Sequence, residues 1–408
     1  MRSGKKVDLA HFTLRQMMEM EACTRCGECI PTCPTYAEGQ DNEEIHPLQK
    51  IARAKSFWKA DYLGWLARLF GILPATEEDL EAYSQGVYCC TLCGRCHVVC
   101  PVQIDTRPLW IAMREQLVDW NLHPELIDRL RETVTTHYNI SGDPNENRLD
   151  WTANMAKVPE GLDRKEKSEV VYFMGCVAAF YPMVYSVPQS FVAVMDAAGV
   201  NYTTMGGDEY CCGFPLTVAG MGQHTHDMMR HNVERVQALG AKKLVTACPS
   251  CYHTWKHEYP QRLGESLGFK VQHETEFLTG LVKTGALDLK PVNKVVTYHD
   301  PCDLGRNSGI YDEPRQILEA IPGLTFVEMK ENREHALCCG GGGDVEMADA
   351  EVSHAVGRSR MLQAQETDAQ FVITACQQCK RTLLGAARKN KIRIRTLDIV
   401  ELLWESVQ

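Results

Sequence analysis

The first third of the chain has the hydrophobic spacing of amphipathic helices. Within residues 44–70 apolar side chains recur every three or four positions, which predicts helix there: Ile45, Leu48, Ile51, Trp58, Tyr62, Leu66 and Leu69. Thr76 followed by Asp79 forms a capping box and predicts a second helix that ends near Tyr83. Further helices are expected over 107–120 and 124–138. The four tryptophans of this region are expected in its core, namely Trp58, Trp65, Trp110 and Trp120.

The rest of the chain alternates between short β-branched runs and helical stretches. The runs VVYFMGC, KLVTACPSC, VVTYHDPC and AQFVITACQQC each have strand length and lead into cysteine. Helices are expected near 188–199, 219–239, 314–321 and 344–366. This alternation predicts α/β subdomains with parallel strands.

One apolar stretch, residues 170–195, carries no formal charge and is long enough to span a membrane. Gly175, Pro182 and Pro188 interrupt it, so a strand, a loop and a helix are the better prediction. A polar stretch over 139–168 is predicted to be a connector. The expected domains are therefore a helical module over 1–138, the connector over 139–168, and α/β subdomains over 169–290 and 291–408.

Composition narrows the function more than it narrows the fold. The chain has 408 residues and a formal charge of −10, which argues against a nucleic-acid partner. Its 19 cysteines are too many for packing alone and odd in number for a disulfide scaffold. The start of the sequence does not resemble a secretory signal, so we expect a cytoplasmic protein with reduced thiols, attached peripherally to the inner face of a membrane only through a partner.

Two cysteine runs near the N-terminus have the spacing C-x2-C-x2-C-x3-C-P: CTRCGECIPTCP and CTLCGRCHVVCP. This spacing is typical of cubane [4Fe–4S] clusters, and the fourth cysteine of each run ligates the other cluster. We therefore assign one cubane to Cys23, Cys26, Cys29 and Cys100, and the other to Cys90, Cys93, Cys96 and Cys33. Paired structural zinc is the alternative, but it gives no reason for the x3-C-P ending. Cys89 is left over and is expected to pack locally.

The remaining cysteines form two sets of five that repeat along the chain. One set is Cys176, Cys211, Cys212, Cys248 and Cys251, and the other is Cys302, Cys338, Cys339, Cys376 and Cys379. Cys176 and Cys302 differ by 126 positions, Cys211 and Cys338 by 127, and Cys248 and Cys376 by 128. The second half of the chain is therefore a tandem duplication. Five thiolates exceed the needs of a cubane, which suggests an unusual cluster.

Glycine follows the cysteine pair in both copies, as Gly213 in CCGFP and Gly340 in CCGGGGD. These glycines are expected to allow close backbone approach to a cofactor. The run Gly340–Gly343 could instead be a phosphate loop, but no Lys-Ser/Thr pair follows it. The sequence has no flavin or NAD fingerprint, so a partner is expected to supply electrons.

The tandem CCG motifs behind a two-cluster ferredoxin module resemble the heterodisulfide reductase family, specifically its D-type subunit. The resemblance covers nearly the whole chain. It implies that each set of five cysteines binds a non-cubane [4Fe–4S] cluster. The common proline of the last cysteine pair is present in CPSC and replaced in ACQQC.

The resemblance also implies that electrons enter through the cubanes and reach the paired non-cubane clusters, where a disulfide is reduced or thiols are oxidised. The alternative is an electron-relay subunit without a substrate site, as in relatives linked to sulfite reduction, glycolate or lactate oxidation, or benzoyl-CoA reduction. Expected partners are other redox subunits: a cytochrome b-type membrane subunit, a flavoprotein or an iron–sulfur protein. His299 and Asp300, which precede Cys302, are the candidate proton donors.

Overall fold

The computed structural model describes residues 5–39 and 42–408. Up to residue 138 its regular elements are helical: α1 (Leu14–Ala22), α2 (Pro34–Glu38), α3 (Pro47–Leu63), α4 (Glu77–Tyr88), α5 (Arg95–Val98), α6 (Thr106–Asp119) and α7 (Glu125–His137). The capping box of Thr76 and Asp79 starts α4 as predicted, but the helix continues to Tyr88 rather than ending near Tyr83. The predicted helical N-terminal region is therefore present.

The helix predicted over 44–70 is shorter than its hydrophobic pattern suggests. It ends at Leu63 because Gly64 adopts a left-handed conformation with φ +55°, and a 3-10 segment over Gly64–Phe70 follows. The prediction of Trp65 as a core residue is wrong, since its side chain is 74% exposed. Trp110 and Trp120 are buried as predicted. The helical period marks an apolar face without showing whether that face is covered.

Residues 139–168 pack more closely than a simple connector would. They contain a 3-10 segment over Asn145–Asn154, and both Arg148 and Trp151 within it are fully buried. The polar composition of residues 139–168 does not reveal this packing, because one of the two fully buried side chains is the charged Arg148.

The first α/β repeat contains β1 (Val170–Tyr172), α8 (Gly175–Phe180), α9 (Ser186–Ala197), β2 (Tyr202–Thr203), α10 (Phe214–Val218), α11 (His226–Ala238), β3 (Lys243–Thr246), α12 (Pro249–His253), a π-helical turn over Thr254–Glu258, α13 (Tyr259–Leu263), β4 (Lys270–His273) and α14 (Glu274–Lys283). Its four strands are parallel in the order β2-β1-β3-β4. Residues 170–195 contain the predicted strand, as β1, and the predicted helix, as α9, but the expected loop between them is largely helical, with α8 and a 3-10 segment over Pro182–Val184.

The second repeat has the same topology. It contains β5 (Val295–His299), α15 (Asp312–Ala320), β6 (Thr325–Phe326), α16 (Val345–Ala348), α17 (Ala350–Gln365), β7 (Phe371–Thr374), α18 (Gln377–Lys389), β8 (Arg395–Asp398) and α19 (Ile399–Val407). Its strands are parallel in the order β6-β5-β7-β8. In each sheet the strand order switches between the first and third strand of the repeat, and a crevice opens at the carboxyl ends of such strands.

The chain forms two compact units. The first combines the described residues up to Arg129 with two excursions from the repeats, Pro215–Gly222 and Gly340–Val356. The second contains Leu130–Phe214, Gln223–Cys339 and Gly357–Gln408, and so holds both sheets. In the described part of the chain no helix combines the length and the apolar character needed to cross a bilayer.

Helices of the two repeats pack reciprocally within the second unit. α9 of the first repeat contacts α19 of the second, and α14 of the first contacts α15 of the second. Since α9 corresponds to α15 and α14 to α19, the two repeats share one continuous apolar core.

Candidate metal centres

In the first unit, Cys23, Cys26, Cys29 and Cys100 line one narrow cavity, together with Cys96 of the second run and side chains of α3. Burial raises the pKa of Cys29 to about 11, and the charges of Cys23, Cys26 and Cys100 add to this effect. The fourth cysteine of the second run therefore lies with the first three cysteines of the first run.

Cys33, Cys90, Cys93 and Cys96 form the complementary set. Burial raises the pKa of Cys96, and the nearby charges of Cys93, Cys90 and Cys33 raise it further. Hydrogen bonds to threonine hydroxyls orient two of the sulfurs: Cys33 Sγ contacts Thr35 Oγ1 at 3.3 Å and Cys96 Sγ donates to Thr106 Oγ1 at 3.0 Å.

Both runs turn in the same way around their sulfurs. The second and fourth residues after the first cysteine have positive φ in each run: Arg25 and Gly27, then Leu92 and Gly94. Such tight left-handed turns bring three successive cysteine side chains to one side of the loop.

A buried cation accompanies the second set. Lys50 is 1% exposed, and its Nζ has no hydrogen-bond partner among the described residues. Its charge opposes the rise in the pKa of Cys33 that burial causes. A buried ammonium group is costly unless an anion balances it, and four thiolates around an iron–sulfur core would supply that anion. The residues present therefore fit a cubane cluster.

In the second unit, the first set of five thiols is continuous. Cys176 contacts Cys211, Cys211 contacts Cys212, Cys212 contacts Cys251 with sulfurs 3.3 Å apart, and Cys251 contacts Cys248. Hydrogen bonds from Cys211 and Cys251 lower the pKa of Cys212 to about 6. The thiolate is the form that binds metal, so this buried cluster is suited to hold one.

An internal ion pair fixes the turn that carries Cys176. Arg148 and Glu209 are both fully buried and lie 2.8 Å apart, and Arg148 also donates to Cys176 Sγ at 3.5 Å. Glu209 in turn accepts the backbone N–H groups of Met174 and Gly175, each at 2.9 Å. Sequence reasoning missed this pair, because its members are 61 residues apart and look like ordinary surface charges.

The second set of five is arranged similarly. Cys302 contacts Cys338, while Cys339 contacts Cys379, which contacts Cys376. His299, Cys339 and Cys379 present ligand atoms that all lie within 4.8 Å of one another.

His299 is held as a neutral imidazole with a defined tautomer. Its Nδ1 accepts a hydrogen bond from Arg360 Nε at 3.0 Å, so its proton resides on Nε2. Burial and the charge of Arg360 lower the pKa of His299 well below its ordinary value. Nε2 has no partner among the described residues. His299 can therefore donate a hydrogen bond toward the neighbouring sulfurs.

Asp300 has a different environment. Its carboxylate accepts two hydrogen bonds from Arg315, at 2.8 and 3.0 Å, and one from the backbone of Arg333 at 2.8 Å. These hydrogen bonds fix the carboxyl group at the end of β5 and occupy both of its oxygens.

Each repeat hydrogen-bonds to residues beside a cysteine of the other repeat. Gln377, between the last two cysteines of the second set, donates to Met174 O at 3.0 Å and accepts from Ala178 N at 3.2 Å, on either side of Cys176. In the opposite direction Ser250, between the last two cysteines of the first set, donates to Asp303 next to Cys302 at 2.5 Å. The replacement of proline by Gln377 in ACQQC thus has a structural purpose.

The glycines after the cysteine pairs serve close packing. Gly213 and Gly340 have φ of +91° and +90°, and a Cβ on Gly213 would lie 3.0 Å from Thr225. Within the first unit, a Cβ on Gly343 would lie 2.5 Å from Cys90 O, and one on Gly342 would lie 2.8 Å from Thr91 O. The glycine run therefore fits against the second cysteine run rather than forming a phosphate loop.

The buried Arg114 side chain donates hydrogen bonds to three segments of the first unit. It donates to Cys90 O at 2.9 Å, Val218 O at 2.7 Å and Gly343 O at 2.8 Å. The segments Pro215–Gly222 and Gly340–Val356, which follow the two cysteine pairs, are thus bonded to the same guanidinium group as the second cysteine run.

Comparisons with known proteins identify the domains of this chain. The cysteine-rich domain family matches residues 170–256 and 296–384, and the 4Fe-4S dicluster domain family matches 19–104. The sequence is 36% identical over 406 residues to the D-type subunit of the dihydromethanophenazine:CoB–CoM heterodisulfide reductase of Methanosarcina barkeri, covering 98% of this chain and 97% of that one. It is 28% identical to an EtfAB:quinone oxidoreductase of Syntrophomonas wolfei, covering 98% of this chain and 60% of that one.

A hypothetical protein from Helicobacter pylori of known crystal structure has a similar fold. The TM-score is 0.56 at 12% identity, with 98% of this chain and 74% of that chain covered. At that identity the likeness concerns the fold alone.

Parallel sheets with paired cysteine quintets behind a dicluster module define an iron–sulfur oxidoreductase subunit. More specifically, the chain belongs to the family of D-type heterodisulfide reductase subunits.

Proposed function

We propose that this protein reduces a disulfide, or oxidises two thiols, at the paired cysteine quintets, with electrons that arrive through the N-terminal cysteine sets. Two cubane clusters on the N-terminal sets and two non-cubane clusters on the quintets would supply one-electron steps. For this function the proposed division of the chain is a cluster module over 1–138, a connector over 139–168 and CCG subdomains over 169–290 and 291–408.

The observation that carries this proposal is the reciprocal bonding of the quintets through Gln377 and Ser250. Reduction of a disulfide releases two thiols and consumes two electrons and two protons. Two similar thiolate-rich sites, joined by hydrogen bonds within one compact unit, are suited to a substrate with two equivalent sulfurs. A relay that passes single electrons has no need of such a pair.

The chain's own residues hold these sites in place. Arg148 and Glu209 fix the turn of Cys176, and Arg315 with Asp300 fixes the end of β5 before Cys302. His299, through Nε2–H, offers a neutral hydrogen-bond donor beside Cys339 and Cys379. A neutral donor at the sulfurs would stabilise negative charge there without needing a buried cation.

A redox partner is required because the sequence has no flavin or NAD fingerprint. Within the first unit, five large apolar side chains in residues 62–73 are 71–81% exposed: Tyr62, Trp65, Leu69, Phe70 and Leu73. Contiguous exposed apolar surface marks an interaction site. Arg68 is the sole charged residue of this segment, whereas binding to an anionic bilayer surface uses clusters of basic residues. We therefore propose that residues 62–73 bind a redox partner. If that partner is membrane-bound, they bind it on the cytoplasmic side of the membrane.

The test is anaerobic purification followed by iron analysis and turnover. We expect about sixteen irons per chain, from four four-iron clusters. Cys212→Ser and Cys339→Ser are each expected to abolish disulfide turnover while leaving the reduction of the cubanes intact. Cys89→Ser is the matched control, because Cys89 is buried outside all four sets and is expected to leave turnover unchanged.

Two results would contradict the proposal. About eight irons per chain would leave the quintets without clusters. Full iron content with no cleavage of any disulfide, and no change in the EPR spectrum when thiol is added, would make the protein an electron relay.

A further inference from the structure

A buried acidic pair joins the two repeats. Glu274 opens α14 directly after β4, and Asp398 ends β8, so both lie at carboxyl ends of strands in the second unit. Both side chains are fully buried. Each repeat contributes one carboxyl group, and neither group has so far been given a role.

The side chains of Glu274 and Asp398 lie within hydrogen-bonding reach of each other. Neither oxygen of Glu274 nor Oδ2 of Asp398 has a donor partner in the described residues, while Oδ1 of Asp398 accepts Val400 N at 3.1 Å. An ionised carboxylate only accepts hydrogen bonds, so two carboxylates can bond to each other only if one of them carries a proton. A proton shared by the pair would therefore give these buried oxygens a partner.

The electrostatics agree with this requirement. Burial, and then the interaction with Asp398, raises the pKa of Glu274 well above its ordinary value. Burial and the charge of Glu401 raise the pKa of Asp398 to about 7. Like charges that share a buried site separate into one protonated and one ionised group.

The groups around the pair come from both repeats. Lys380 of α18 lowers the pKa of Asp398, but its charge is also bound to Glu401 at 2.6 Å, and its Nζ donates to Ser186 at 2.8 Å. The hydroxyls of Tyr172 in β1 and Tyr298 in β5 are buried and have no partner in the described residues. His273, the last residue of β4, is buried, and burial lowers its pKa to about 3, so it adds no positive charge.

One cysteine from each quintet also acts on Glu274. His273, directly before Glu274, pairs in register with Thr246, two residues before Cys248. Asp398 pairs in register with Thr374, two residues before Cys376. The charges of Cys376 and Cys248 both raise the pKa of Glu274. Electrons that reach the quintets add negative charge in the same places, and added negative charge favours protonation of a nearby carboxylate. The pair is therefore placed to respond to both quintets.

We propose that Glu274 and Asp398 share one proton in the oxidised protein and take up a second from solvent when the quintets are reduced. As far as this serves turnover, the inference rests on the proposed function. A disulfide that gains two electrons from the reduced protein and two protons gives two thiols. The pair supplies one of these protons and solvent supplies the other, and the pair takes up a new proton from water when the quintets are next reduced.

The experiment is infrared difference spectroscopy on the anaerobic holoprotein, oxidised and then reduced with dithionite. A protonated carboxyl group has a C=O stretch that a carboxylate lacks. We expect the pair to contribute to this band at neutral pH in the oxidised wild type, and the band to increase on reduction. Glu274→Gln and Asp398→Asn should each remove the pair's contribution, measured as the difference between wild type and variant, and the increase on reduction. Glu276→Gln, on the same helix, should keep them, because Glu276 accepts a backbone N–H rather than facing the pair.

A second measurement does not depend on a folded variant. In the wild type, the midpoint potential of the quintet signals should change with pH, because a proton accompanies the electrons. A wild type without the band, or a band that persists unchanged in both variants, would overturn the inference. A band and a pH-dependent potential without cleavage of any disulfide would leave the inference standing and refute the proposed function.

Discussion

At the residue scale, the cysteines and their supporting side chains differ in how well the sequence reveals them. The eight proposed cubane ligands follow from spacing, because cubane ligation places cysteines at short fixed intervals. The ten proposed quintet ligands stand out by their repeat along the chain, and their ligation is implied by the resemblance to heterodisulfide reductase subunits. Arg148, Glu209, Glu274 and Asp398 do not follow, because their partners are distant in sequence and single charged residues are usually surface residues. For these supporting residues the sequence offered one signal, the replacement of proline by Gln377. The role of Gln377 follows from its hydrogen bonds to Met174 and Ala178 in the structure.

Replacing Gln377 tests the link between the quintets. Gln377→Pro restores the residue of the first repeat, where Pro249 occupies the same helix position, so the backbone should accept it. It leaves Met174 O and Ala178 N without partners, and we expect a loss of about 1–3 kcal/mol in the free energy of unfolding. We also expect an altered EPR signal from the quintet clusters.

Gln378→Ala is the control for this substitution. Gln378 bonds within its own helix, to Thr382 and Arg381, so its loss should leave the EPR signal unchanged. Equal effects of the two substitutions would contradict a link through Gln377.

Asp344 gives the first unit a dependence of stability on pH. Burial raises its pKa to about 7, while the charge of Arg114 opposes the rise. Because the folded pKa lies above the ordinary value of about 3.9, the folded state binds more protons, and stability falls as pH rises from about 4 to 7.

Asp344→Asn should remove this loss. In the wild type, the full shift in the pKa of Asp344 lowers the free energy of unfolding by on the order of 4 kcal/mol between pH 4 and pH 8. Chemical denaturation of wild type and variant at both pH values measures it. Parallel curves of stability against pH would contradict the assignment.

At the element scale, periodicity identified which segments are helices better than where they end or what covers them. α6 and α7 match the predicted stretches within about two residues. α3 ends early because Gly64 turns left-handed, and this turn leaves Trp65 in solvent. The strands β2, β4, β6 and β8 went unpredicted because none of them leads into a cysteine.

The exposed segment 62–73 is expected to bind the partner without contributing to folding. Replacing Trp65, Leu69 and Phe70 with serine should change the free energy of unfolding by no more than about 0.5 kcal/mol per site, since little apolar area is buried there. The same variant should lose its purified electron-transfer partner on size-exclusion chromatography. A matched variant at Leu14, which is also exposed but lies outside the segment, should retain it.

At the scale of the whole molecule, the excursions of the repeats join the first unit through Arg114. Arg114→Met would leave the carbonyl groups of Cys90, Val218 and Gly343 unpaired in a buried site. We expect a loss of at least about 3 kcal/mol, because each buried unsatisfied group costs about 1–3 kcal/mol.

Arg129→Met provides the comparison for Arg114. Arg129 is an exposed residue paired with Glu125, and its loss should cost no more than about 0.5 kcal/mol. If the two variants unfold at the same denaturant concentration, Arg114 does not organise this unit.

The mutual completion of the two repeats also bears on how such a chain arose. Two separate copies of an ancestral half would have had to find each other before either pocket was whole, and their occupancy would have varied with concentration. Covalent fusion replaces that encounter with a high effective concentration and fixes a one-to-one ratio. Fusion also allows the two halves to diverge in sequence. The link from the second repeat is made by the amide of Gln377, and the link from the first repeat is made by the hydroxyl of Ser250.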